Sequence, residues 1–143
     1  MKSTRLIPIA TAALALLLLA AGPETKTATD LMPADSKWSG KRTANGEPIA
    51  VHGSVVASDK DKIELRLNVQ GNSVEVWTFV PNGTVLTLKD VVVVKGNRHL
   101  EDVEGSGEVR GDELRAVYSW RRDGAKVKGQ GVKGELLLNR SEK

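Results

Sequence analysis

The 143-residue chain contains no cysteine. This excludes a disulfide framework, thiolate metal ligands and a cysteine nucleophile. It also excludes a lipoprotein anchor, which needs a cysteine after the leader to carry the lipid. Histidine occurs only as His52 and His99, so a nucleophile with an imidazole base has few candidates. Aromatic residues make up only 3% of the chain. No segment repeats its apolar residues at a helical period for a useful length.

What is present begins with a leader. Lys2 and Arg5 precede an apolar stretch over residues 6–19, and Ala20-Ala21 supply small residues. That order predicts a secretory signal peptide over residues 1–21, cleaved after Ala21. The alternative is an uncleaved anchor, since residues 6–22 lie at the short end of what spans a bilayer. Cleavage would leave one domain's worth of chain and 19 basic against 18 acidic residues, because Lys2 and Arg5 depart with the leader. The pI of 9.3 therefore points to no nucleic-acid partner. The expected product is exported, periplasmic or extracellular, with no stable membrane insertion after cleavage.

Residues 22–37 are rich in Thr, Pro, Ala and Asp without periodicity and predict a flexible lead, with order beginning near Trp38. From there a single β-domain is expected over residues 38–143. In residues 63–69, Ile63, Leu65, Leu67 and Val69 share one face while Glu64, Arg66 and Asn68 share the other. Similar alternation marks residues 49–58 and 114–121. Residues 73–80 and 84–95 are apolar on both faces, and further strands are expected at 39–42, 100–110 and 126–140. Short turns at 59–62, 71–72, 82–83, 96–97, 111–112 and 123–124 each offer a residue that tolerates positive φ.

Connections this short join antiparallel neighbours. The expected fold is thus all-β, an up-and-down meander of about eight strands. Closure into a barrel would pair the sheet edges and favour a monomer. A two-sheet sandwich is the alternative, with lysines such as Lys126, Lys128 and Lys133 guarding its edges.

Trp38-Ser39-Gly40 at the opening of the first strand, the meander after it, and the ending Leu136-Leu137-Leu138-Asn139-Arg140 resemble the lipocalin-like barrels, the calycins. The order Trp-x-Gly stands where that family has Gly-x-Trp. The resemblance implies that Trp38 packs beneath the barrel with Arg140 across it as a structural pair. It also implies a barrel that holds a small apolar ligand, or a rigid one whose loops block an enzyme.

Trp77 with Phe79, and Tyr118 with Trp120, occur at the i, i+2 spacing that places both members of a pair on one strand face. These four are the candidate ligand-lining residues if both faces point into the barrel; the competing expectation is simple core packing. Acidic residues 101–113 precede the basic Arg115, Arg121, Arg122, Lys126, Lys128 and Lys133, which suits cross-strand ion pairs. A polyanion-binding patch is the competing reading, but no aromatics are interleaved for stacking. His99, Glu101 and Asp102 are too few to hold zinc, and no acidic loop has calcium-site spacing, so no metal or cofactor is expected. Gly105-Ser106-Gly107 lacks the spacing of a nucleophile elbow. Arg110-Gly111-Asp112 reads better as a turn than as an adhesion motif. The functional expectation is an exported non-enzymatic binding protein holding a small apolar ligand. The alternative is a protein-interaction module, such as an inhibitor of a secreted hydrolase or a partner of a cell-envelope protein.

Overall fold

The computed structural model describes residues 26–70, 73–121 and 131–141. Among them are one short helix, α1 (Ala28–Leu31), and nine strands: β1 (Lys37–Ala44), β2 (Glu47–Ser58), β3 (Ile63–Val69), β4 (Ser73–Asn82), β5 (Val85–Val93), β6 (Arg98–His99), β7 (Glu101–Arg110), β8 (Glu113–Arg121) and β9 (Val132–Arg140). All pairings are antiparallel. The wall runs β1-β2-β3-β4-β5-β7-β8-β9, and β9 returns to β1, while β6 is a two-residue spur on β5. Eight strands thus close into a barrel. The sandwich alternative fails because both the β4–β5 and the β1–β9 seams are hydrogen-bonded.

The alternation read in the sequence sets which side chains enter. Ile63, Leu65, Leu67 and Val69 of β3 are buried, while Arg66 and Asn68 face solvent. Three bulges, near Ala57, near the β4–β5 pairing at Thr78/Phe79, and between Glu101 and Glu104, bend the strands around the axis. Asp59 shapes the β2–β3 turn: its carboxylate accepts from the amides of Asp61 and Lys62 at 2.8 and 3.0 Å. Those bonds hold its acid below the usual carboxylate range.

One end of the barrel is closed. Trp38 is fully buried there and donates Nε1–H to Ser36 Oγ at 2.9 Å. Arg140 is its direct partner across the β1–β9 ladder, as is Gly53 across β1–β2. The lead expected to be flexible over 22–37 is ordered in the part the structure describes. Thr27 donates its amide to Asp30 Oδ2 at 2.9 Å, the reciprocal half of an N-terminal capping box. The Ala28 amide donates to the Gly83 carbonyl at 2.8 Å, and Ala28 and Met32 are fully buried. Order begins before Trp38 because this turn of helix buries two apolar side chains in the barrel's base.

The end of one expected strand also differs. The run 84–95 ends at Val93, and the chain turns through residues 94–97 into β6. The described part of the final strand runs Val132–Arg140; residues 126–130, like the 71–72 and 123–124 turns and the leader, lie outside the described residues. The acidic and basic runs do face each other: Glu108 is opposite Arg115, Arg110 opposite Glu113, and Glu101 opposite Arg121 with an ion pair of 3.1 Å. Arg122, Lys126 and Lys128 lie outside the described residues.

Candidate functional site

The four candidate aromatics come together inside the barrel. β4 carries Trp77 and Phe79, and β8 carries Tyr118 and Trp120; the two strands are not neighbours, so the rings meet across the interior. Trp77 contacts Tyr118 and Trp120 edge-on, with centroids 5.2 and 5.5 Å apart, and Tyr118 lies 4.6 Å from Trp120. Such tilted contacts are the favourable geometry for ring quadrupoles. Trp77 and Phe79 are fully buried and Tyr118 and Trp120 nearly so. Most of this cluster is therefore core. An interior of eight strands is only wide enough for its own side chains over much of its length, and here they fill it.

An ion pair unforeseen in the sequence lies at the upper boundary of this core. Arg42 of β1 donates Nη2–H to Glu75 Oε2 at 2.8 Å, with both side chains only 7% exposed. Arg42 Nη1 donates to the Tyr118 hydroxyl at 3.1 Å, and Trp77 Nε1 donates to the second carboxylate oxygen of Glu75 at 3.0 Å. The Tyr118 hydroxyl in turn donates to the Thr43 carbonyl. The guanidinium lies 5.4 Å from the Trp120 ring centroid and 5.9 Å from that of Tyr118, within cation–π range. Burial pushes the Tyr118 phenol above its ordinary value, against the opposing pull of Arg42. Among the described residues the buried Arg42 Nε has no hydrogen-bond partner.

Above the pair the described residues leave an opening. A cleft of about 450 Å³ is lined by Ala44, Ile49, Val93, Leu100, Trp120 and Val132, with Arg42 and Glu75 as its floor and Arg98 at its lip. Of the four aromatics proposed as lining, Trp120 alone borders this cleft; Trp77, Phe79 and Tyr118 do not. The cause is steric: Trp77 packs on Phe79 and on Tyr118 below the mouth, and Trp77 and Tyr118 are hydrogen-bonded to the ion pair. The remaining lining residues are intermediate-sized aliphatics at strand ends, and nothing in the sequence distinguishes them from ordinary core positions.

A wider depression of about 650 Å³ lies along β5, β7 and β8, lined by Thr87, Lys89, Glu104, Val117 and Lys133 and also by Leu88, Val103 and the candidate Tyr118. It follows the β5–β7 seam, where the ladder runs only through Val85–Thr87 against Ser106–Glu108, with single backbone bonds from Val109 to Thr84 and from Leu100 to Val91 beyond it. This is a shallow groove that mixes outward-facing polar residues with apolar ones, whereas the smaller mouth cleft is less open to solvent. His99 does not join Glu101 and Asp102: its Nδ1 lies 2.9 Å from Asp90 Oδ2, while Glu101 and Asp102 both contact Arg121. His52 is exposed. Among the described residues no group of three or more histidine or carboxylate side chains is placed to hold a metal.

No family model matches the chain, and no curated protein shows significant similarity to it. Among solved structures it is similar to one described as EF1p2_mFAP2b bound to DFHBI, with 14% identity and a TM-score of 0.59 over 82% of this chain and 99% of that one. At that identity the similarity is one of fold, and it agrees with a closed antiparallel barrel.

Proposed function

We propose that this is an exported, non-enzymatic binding protein that holds a small, largely apolar ligand in the open end of its barrel. The observation that carries this reading is the mouth cleft, walled by aliphatic side chains and Trp120 and floored by an internally neutralised ion pair. Its volume of about 450 Å³ falls within the roughly 300–1,000 Å³ of small-molecule sites. The similar solved barrel is bound to DFHBI, in keeping with a barrel of this kind accepting a small molecule. Export rests on the leader, and the mass of the mature product, beginning at Gly22, tests it.

The binding test is a titration with N-phenylnaphthylamine, a neutral fluorophore that brightens on leaving water. Saturable brightening at one equivalent is expected, with a matching change in tryptophan emission. Trp120→Phe should abolish most of that emission change, because Trp38 and Trp77 lie below the cleft. A linear, non-saturating signal would sink the proposal.

A further inference from the structure

We infer that the mouth selects a small amphipathic anion, its apolar body in the cleft and its charged end at Arg98. This rests on the mouth being a ligand site and adds the ligand's charge and orientation. Arg98 is the direct cross-strand partner of Val93. Val93 shares its strand face with Val91, which is fully buried, so Arg98 rises on the inner side of the lip. Leu100, two residues on, points the same way and packs against the core. His99 points outward to Asp90.

Among the described residues, the charged groups that line the cleft other than Arg98 are paired with each other. Glu75 is committed to Arg42 and Trp77, Asp90 to His99, and Glu101 and Asp102 to Arg121. Among the described residues Arg98 has no ion-pair partner. Among the described residues the cleft therefore presents an apolar wall, a neutral floor and, at its rim, a guanidinium without an ion-pair partner. A neutral apolar ligand would leave that cation facing the apolar end of the molecule. A carboxylate or sulfonate on the ligand would supply a charge-assisted contact at the place where the apolar wall ends.

N-phenylnaphthylamine and anilinonaphthalene sulfonate share a ring skeleton and differ in one anionic group, so comparing them isolates the charge. The sulfonate should bind roughly fivefold more tightly at low salt, with the preference fading as salt rises. Arg98→Ala should remove the preference, and Arg98→Glu should reverse it. Arg98→Lys should retain much of it, and the neutral probe should bind all four proteins alike. Equal binding of both probes, unchanged by Arg98→Glu, would overturn the anion inference while leaving the mouth as a ligand site. Failure of both probes to bind would overturn the ligand site itself and the inference with it.

Discussion

Arg42 and Glu75 lie at the boundary between a packed core and an open cleft, and their energetics follow from burial. Two charges taken out of water lose hydration that their mutual attraction only partly restores, so the pair adds little net stability. Removing one partner is different, because the other is left buried and uncompensated. Glu75→Leu should cost about 3–5 kcal/mol, whereas Arg42→Met combined with Glu75→Leu should cost far less than that single change. Urea denaturation of the two variants checks this; an equal loss in both would mean that the charges are not coupled. Half of this pair is legible in the sequence. Glu75 shares a strand face with Trp77 and Phe79 by simple alternation, a charge on an otherwise apolar face. Its partner is not legible, because Arg42 lies 33 residues earlier on a strand that does not neighbour β4.

At the scale of elements, the barrel depends on strands that bend. Gly53 of β2 shows why a side chain is excluded at one such place: a Cβ there would overlap the Arg66 carbonyl oxygen on the adjoining β3 strand. Gly111, at the β7–β8 turn, has a φ of 56° but open space around it. Gly53→Ala should therefore cost about 4 kcal/mol or more, since backbone must move. Gly111→Ala should cost only about 1–2 kcal/mol, the strain of a left-handed conformation. Thermal melts followed by circular dichroism separate the two, and equal losses would refute a steric role for Gly53. Strands with clean alternation, such as β3 and β8, were plain in the sequence. Helix α1 was not, because four residues carry no period; its one signal was Thr27 followed three residues later by Asp30. β6 was missed because a two-residue spur carries no alternation, and its existence depends on the hairpin at 94–97 folding back on β5.

For the whole molecule, closure was legible because short turns force neighbouring strands to pair and eight such strands without a covering helix leave two edges to join. Where the interior is full and where it is open was not. That depends on how the volumes of Trp77, Phe79, Tyr118 and Trp120 add up across strands distant in sequence, and on α1 and Trp38 stopping one end. Among the described residues the result is asymmetric: a base sealed by apolar side chains, a middle filled with aromatics and one ion pair, and a mouth left open. The most direct test of that asymmetry is an amide-resolved NMR titration with N-phenylnaphthylamine. The amides of Ala44, Ile49, Val93, Leu100 and Val132 should shift together on one saturable isotherm. Shifts confined instead to Val117, Ser119 and Lys133 on the outer wall, or to the α1 end, would contradict a ligand site in the barrel's mouth.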